Sequence, residues 1–487
     1  MVKTHGNYIN GKEVKSDSRK TFVSLNPTTE QTIAKFQQGT AKDVNKAITV
    51  AQKAQKKWSS IPAPHRGEIL LEVARILKKN KERLGKLESV EMGKILPEGL
   101  GDVQEAIDVF EYMAGEGRRL FGYTTPSELQ KKVCYTKREP LGVVGLITPW
   151  NFPIAIPSWK IAPALICGNG IVFKPSSDTA KCAYELVKIC EEAGVPKGVI
   201  NLVTGSGEEV GSAMIKNPRI AGISFTGSRA IGEFVTVNAG LKKVGLELGG
   251  KNPIIIMDDA NLDLALEGVI FGAFGTTGQR CTAASRILIH KNIFNEFQEK
   301  LVKTVKKLKV GNPLKSSTHI GPLVAKRAVE KVHSYTNIGK KERAKLLCGG
   351  NPIKRKGFFY EPTIFTNVKP NMRIAQEEIF GPTTSLMKFK NLKEALEVAN
   401  CVDYGLSASV FTNNLTDAYT SIEKLETGIV YVNAPTIGAE VHLPFGGVKN
   451  TGNGTREAGI EGIHEFSETK TVYIDYSGRL QKAQGIE

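Results

Sequence analysis

Apolar residues along this chain recur with two different periods, and the order in which the periods alternate carries most of the architecture. Residues 7–36 read as short strands, with an Asn-Gly turn in "NYINGKEV" and an Asn-Pro turn in "TFVSLNPTTEQTIAKF". In "HRGEILLEVARILKKNKERLGKL", Ile69, Leu70, Val73, Ile76, Leu77 and Leu84 recur at helical spacing. From about residue 140, β-rich runs that end in glycine, proline or serine ("GVVGLIT", "GIVFKPS", "GVINLVTG", "ISFTGS") alternate with helical stretches such as "AKCAYELVKICEEAG" and "EEVGSAMIKN". That alternation predicts a parallel α/β sheet with crossover helices. A second block follows residue 247, with "NPIIIMD", "SRILIH", a helix near 292–309, "TTSLMKF", "SASVFT" and "GIVYVN". The tail "SETKTVYIDY" alternates as a half-exposed strand, which needs a partner; "KKVCYTKREP" (131–140) is the segment best suited.

The longest uncharged run, Leu141 to Trp159, is long enough to suggest a membrane span. Pro149, Asn151, Pro153 and Pro157 interrupt it, so it reads as a buried strand followed by a turn. At 487 residues two or three domains are expected, and 24% charged with 41% hydrophobic residues is ordinary for a globular protein. The first twenty residues hold no apolar core of the kind a secretory signal needs.

Sixty-six Lys+Arg against 49 Asp+Glu give a formal charge of +17. The lysines alternate with apolar residues, as in "KTVKKLKV", like the wet face of a helix. No basic strand interleaved with aromatics appears, so nucleic acid is not an expected partner. The seven cysteines, at 134, 167, 182, 190, 281, 348 and 401, form no CxxC pair, which argues against a zinc cluster and a disulfide framework. A reducing cytoplasm and no metal are expected.

The candidate chemistry lies at strand ends. Gly205, Gly207 and Gly211 in "TGSGEEVG" are one residue off the dinucleotide fingerprint. "FTGSRAIG" joins a strand to a helix start, with Ser228 as N-cap, where N–H groups suit a phosphate. In "GLELGGKNP", Glu247 sits in apolar, glycine-rich surroundings that would raise its pKa toward that of a general base; an exposed loop carboxylate is the plain alternative. "PWNFP" holds Asn151 between prolines, where its amide can donate to an oxyanion. Cys281 of "GQRCTAASR" could be a core thiol, a metal ligand or a nucleophile. An ordinary thiol is only slightly ionised at neutral pH, and here Arg280 offers positive charge while Glu247 can take the proton through water. Together these groups describe oxidation of an aldehyde through a thioester, with hydride leaving to a nicotinamide and Glu247-activated water releasing the acid.

The motifs "PWNFP", "FKPSSDTA", "FTGS", "LELGGKNP", "GQRCTA", "EEIFGP" and "PFGGVKNTG", in this order, resemble the aldehyde dehydrogenase superfamily over nearly the whole chain. The resemblance implies an α/β fold with two Rossmann-like parallel-sheet domains and a small β arm for oligomerisation. Residues 1–120 and 141–247 would bind the dinucleotide, and 248–445 would carry the nucleophile. Residues 121–140 and 466–487 would build a homodimer or homotetramer, with 446–465 returning to the cofactor domain. By resemblance Cys281 is the nucleophile, Glu247 the base and Asn151 the oxyanion donor. The cofactor would meet Ile147, Thr148, Pro149, Trp150, Lys174, Ser177, Gly207, Gly211, Phe225, Thr226, Gly227, Ser228, Leu248, Glu378 and Phe380. Lys174 would hold the adenine-side ribose, and Glu378 and Phe380 the nicotinamide ribose and ring.

NAD-preferring members of the family carry Glu where this chain has Ser177. That carboxylate would repel a 2′-phosphate by about 1 kcal/mol at 4 Å in water, and about 4 kcal/mol at an effective dielectric of 20. NADP is therefore expected to be preferred and NAD accepted, unless Asp178 swings in beside the ribose. The segment 432–447 is similar to the substrate loop of α-ketoglutaric semialdehyde (2,5-dioxopentanoate) dehydrogenases. Arg280 would then pair with the substrate's distal carboxylate, or else tune the thiolate or support the loop, and His442 and Phe445 would shape the pocket. Succinate semialdehyde and aromatic aldehydes are the alternative substrates. The intact Cys281, Glu247 and Asn151 argue against an inactive scaffold.

Overall fold

A computed structural model describes residues 2–484. The first α/β block forms a seven-stranded sheet in the order Lys243–Glu247, Gly222–Thr226, Val143–Ile147, Gly170–Lys174, Ile200–Leu202, Asn7–Ile9, Lys12–Val14. Its first five strands pair in parallel. The N-terminal hairpin adds an antiparallel edge, turning through Asn10 (φ 55°) and Gly11 (φ 70°), so the sheet is mixed rather than wholly parallel.

Successive residues of these strands face opposite sides. Val144, Leu146, Ile171 and Phe173 pack toward the helices Ala63–Lys79, Leu96–Glu116, Ala155–Ile166 and Ala180–Glu192. Val143, Ile147 and Val172 pack toward the helix Ala41–Ser60, which opens on a Thr40–Asp43 capping box. Both faces are covered, which is why the strands read as continuous apolar runs. The helical run after His65 is two helices, Ala63–Lys79 and Lys81–Glu91: Asn80 (φ −99°, ψ 6°) leaves the helix and folds its amide back onto the Ile76 carbonyl at 2.9 Å. Asparagine's short amide competes for backbone partners in this way, and the apolar spacing alone does not register it.

The second sheet runs Lys345–Cys348, Thr363–Thr366, Thr383–Phe389, Ala284–His290, Asn252–Ile256, Ser407–Phe411, Ile429–Val432, antiparallel only at its first pair. The tail strand Ser467–Asp475 pairs antiparallel with Lys132–Pro140, from Ser467↔Pro140 to Asp475↔Lys132. Residues 485–487 of the expected arm lie outside the described residues. Among the described residues no helix is long and apolar enough to cross a membrane. In the first sheet, strand order reverses at Val143–Ile147, flanked by Gly170–Lys174 on one side and Gly222–Thr226 on the other. The crevice beyond the carboxyl ends of Val143–Ile147 and Gly222–Thr226 is where such a sheet takes a ligand.

Candidate active site

Both strands at that crevice deliver predicted residues. Pro149, Trp150 and Asn151 follow one, and Thr226 ends the other, with Gly227 and Ser228 after it. With Leu248, Cys281, Glu378 and Phe380 they line one cavity of about 330 Å3. Ile147, Thr148 and Phe225 are buried behind it, and the Thr148 hydroxyl has no partner. Lys174, Ser177, Gly207 and Gly211 lie outside the cavity lining, where Gly211 faces the Lys174 side chain and the position a Cβ on Gly207 would take is open space. Ser228 occupies the N-cap of the helix Arg229–Asn238, as expected, and its side chain makes no capping bond there.

The loop that carries Cys281 enters the Ala284–His290 strand from its amino end. Asn252 Nδ2 donates to the Cys281 carbonyl at 2.7 Å, and a Cβ on Gly250 would come within 2.3 Å of that same oxygen, so this glycine permits the approach. Burial, with the carboxylates of Glu247 and Glu378, pushes the Cys281 thiol up to about 12, opposed by the backbone N–H groups of Thr282 and Cys281. The contacts of Arg280 lie with other groups. Its guanidinium turns away to Thr276 Oγ1 (2.8 Å) and Glu98 Oε1 (3.3 Å), and lies between the rings of Phe152 and Phe271. Before it, Thr276 (φ 52°) and Thr277 (φ 58°) are left-handed, a conformation that β-branched residues rarely adopt.

Glu247 ends its strand buried, with no hydrogen-bond partner on either carboxylate oxygen among the described residues. Burial raises its pKa well above the ordinary value and Glu457 adds to the rise, against Lys160 and Arg456. Lys160 is itself fully buried and paired with Glu457. Glu378 is also buried, accepts from the Gly250 N–H at 3.0 Å, and is raised by burial. Phe380, left-handed at φ 62°, meets Trp150 edge-on at 5.4 Å. Asn151 is buried, its Oδ1 unpartnered. Its segment is tied down by Asp102, which accepts from the Ala155 N–H at 2.6 Å, while Lys94, ion-paired to Glu88 (2.6 Å) and Asp102 (2.9 Å), stands 3.7 Å from the Phe152 ring centre.

A second cavity, of about 850 Å3, is bordered by Phe152, the residue after Asn151. Glu98, Glu105, Phe271, Phe274 and Arg280 line it. Burial, then Asp102, pushes Glu105 up to about 8. Phe445 packs edge-on to Trp159 at 5.0 Å. His442 is exposed beside Glu440 at 3.5 Å and lines neither cavity, contrary to its expected part in shaping the pocket: the loop turns its ring outward.

Sequence reasoning missed Glu98, Glu105, the Lys94 cluster, and the Val324, Arg327, Ala328 and Lys331 wall of the first cavity. Arg327 pairs with Asp178 across that cleft. The available signal for this wall was the Gly321-Pro322 break ahead of the helix Lys326–Lys341.

A family model for the aldehyde dehydrogenase family matches residues 14–472. The chain belongs to that family and is by membership an aldehyde-oxidising oxidoreductase. It is 42% identical to an α-ketoglutaric semialdehyde dehydrogenase of Bacillus subtilis, over 97% of this chain and 98% of the relative. It is also 42% identical to mouse retinaldehyde dehydrogenase 3, over 96% and 92%. The fold superposes with a TM-score of 0.96 on a Staphylococcus aureus betaine aldehyde dehydrogenase in complex with NAD+, which is 36% identical, covering 99% of this chain and 97% of that one.

Proposed function

We propose that this enzyme oxidises a carboxylate-bearing semialdehyde, of the α-ketoglutaric type, to its acid through a thioester on Cys281, with NADP preferred and NAD accepted. The observation that carries the reading is the convergence of Cys281, Asn151, Glu378 and Phe380 on one cavity at the point where strand order reverses.

The residues present fit a dinucleotide. Ser228 leaves the first N–H groups of its helix uncapped, Gly207 leaves room over the phosphate turn, and the buried Thr148 hydroxyl lacks a partner. When bound, the nicotinamide dinucleotide supplies the hydride acceptor. Glu378 and Phe380 would hold its ribose and ring, and Lys174 its adenine-side ribose.

The chain's own groups supply the rest. Cys281 Sγ attacks the aldehyde carbon, and its proton passes through water toward Glu247. The oxyanion so formed is held by the Asn151 amide and the Cys281 N–H, donors fixed before the reaction begins. Glu247 releases that proton to solvent and then, as the carboxylate, takes one from a water whose oxygen attacks the thioester carbon. The C–S bond breaks, the acid leaves, and the thiol is restored. An unpartnered buried carboxylate with a raised pKa is suited to taking that proton.

The relative of known substrate and the guanidinium of Arg280 on the larger cavity support the semialdehyde reading. Ser177, half-buried and 3.4 Å from the Gly205 carbonyl, supports NADP. The exposed Val133, Tyr473 and Ile474 on the paired tail strands support a homodimer or homotetramer, and a cytoplasmic location accords with seven free cysteines. Initial rates with α-ketoglutaric semialdehyde, succinate semialdehyde and benzaldehyde, each with NAD and NADP, test the assignment. Preference for benzaldehyde or strict use of NAD would overturn the substrate or the cofactor part respectively.

A further inference from the structure

Two consecutive threonines in left-handed backbone, five and four residues before the nucleophile, need something to hold them there. Each such position is strained and persists only where its surroundings over-determine it. Within the loop, the Gln279 N–H donates to the Thr276 carbonyl at 3.0 Å, which closes the turn. From outside, Thr277 Oγ1 donates to the Gly321 carbonyl at 3.1 Å.

The contact that spans the turn is Glu98. Its Oε1 accepts from the Thr276 N–H at 2.7 Å and from Arg280 Nη2 at 3.3 Å, while Arg280 Nε donates to Thr276 Oγ1 at 2.8 Å. One carboxylate oxygen thus grips the left-handed residue and the residue next to Cys281. Both side chains of the pair are nearly buried, at 11% and 13% exposure, so water competes little for these bonds. Gly275 keeps the space clear: a Cβ there would stand 3.2 Å from Glu98 Oε1.

Glu98 lies in the first turn of the helix Leu96–Glu116, an end that favours a carboxylate. One turn further on, Asp102 of the same helix holds the Ala155 N–H, just past the Asn151 segment. A single helix therefore brackets both sides of the reacting centre.

We propose that Glu98 is a positioning residue for the nucleophile: through the Thr276 N–H and Arg280 it fixes the left-handed turn so that Cys281 stays opposite Asn151 in the cleft. The proposal rests on Cys281 being the nucleophile. If the turn relaxes, the N–H groups of Cys281 and Thr282 no longer aim at the thiol, and the thiolate fraction falls.

The test compares the full-length wild type with Glu98→Ala, Glu98→Gln and a Cys281→Ala control. It reads kcat, KM for cofactor and aldehyde, and the rate at which iodoacetamide alkylates the Cys281 peptide, followed by mass spectrometry. Glu98→Ala is expected to lower kcat by about 10²-fold, the scale of a small misplacement of reacting groups. It should slow alkylation by about fivefold through the lost thiolate, with cofactor KM unchanged within about twofold. Glu98→Gln, whose amide oxygen still accepts from the Thr276 N–H, should recover most of both losses. Wild-type kcat and alkylation in Glu98→Ala would overturn the proposal, as would a fall in kcat with unaltered alkylation. If Glu98→Ala does not fold, Glu98→Asp, one methylene short of the Thr276 N–H, carries the same expectations. Turnover by Cys281→Ala would instead remove the nucleophile reading itself, and this proposal with it.

Discussion

Asp178 is paired with Arg327 across the mouth of the cleft, an arginine that lines the opposite wall of the cavity containing Cys281. The carboxylate next to Ser177 is thereby engaged by Arg327. Ser177, its neighbour, contributes only a hydroxyl turned to the Gly205 carbonyl.

Replacing Ser177 by glutamate should therefore reverse the cofactor choice. A carboxylate about 4 Å from a 2′-phosphate costs about 1 kcal/mol in water and about 4 kcal/mol at an effective dielectric of 20. Every 1.4 kcal/mol is a factor of ten, so kcat/KM for NADP should fall by about 5-fold to 10³-fold. The value for NAD should hold or rise. Initial-rate kinetics of Ser177→Glu with both cofactors check this. The neighbouring variant Asp178→Asn should leave the preference as it is, since that carboxylate is engaged elsewhere.

The larger cavity predicts a pH dependence specific to acidic substrates. Glu105 is raised to about 8 by burial and Asp102, against Arg280 and Lys94. Below about 8 its carboxyl is neutral; above it the group is an anion on the cavity wall. The KM of a carboxylate-bearing semialdehyde should climb as pH rises through 8, while that of an uncharged aldehyde stays level. Glu105→Gln should abolish the climb. Equal pH profiles for the two substrates would place the substrate's carboxylate elsewhere.

Beneath Phe152, Lys94 is enclosed with Glu88 and Asp102 at no solvent exposure. Breaking a buried ion pair from one side costs about 3–5 kcal/mol, because the partner charges remain in the interior. Lys94→Met should lose stability on that scale by urea denaturation, and Asp102→Asn, which keeps an acceptor for the Ala155 N–H, should lose less. Because Asp102 also tethers the segment that carries Asn151, kcat should fall in the folded fraction of Lys94→Met.

The sequence made the two parallel sheets and most of the cleft legible for one reason. Strand ends in an α/β fold are short, contiguous and marked by glycine, as in "FTGS" and "LELGGKNP". Glu247, Asn151, Glu378 and Cys281 could be named because each sits inside such a motif. Glu98 could not: it precedes Arg280 by 182 residues and reads as any acidic residue in a first helical turn. The left-handed Thr276 and Thr277 were hidden for the opposite reason, since β-branched residues argue against that conformation and only tertiary contacts impose it. Of the parts expected for Arg280, its contacts match support of the loop rather than tuning of the thiolate. Adjacency in sequence says nothing about which way a side chain turns, and here it turns to Glu98 and two phenyl rings rather than to the thiol. His442 fails similarly, on a loop whose path the residue pattern does not encode.

The central claim is that Cys281 carries the substrate as a thioester that Glu247 helps to hydrolyse. Glu247→Gln, mixed with aldehyde and oxidised cofactor, should release reduced cofactor up to one equivalent of enzyme, more slowly than the first turnover of wild type, and then nearly stop. Intact-protein and peptide mass spectrometry should find the acyl group on Cys281. Steady turnover by that variant with no adduct on Cys281, or turnover by Cys281→Ser, would contradict the account.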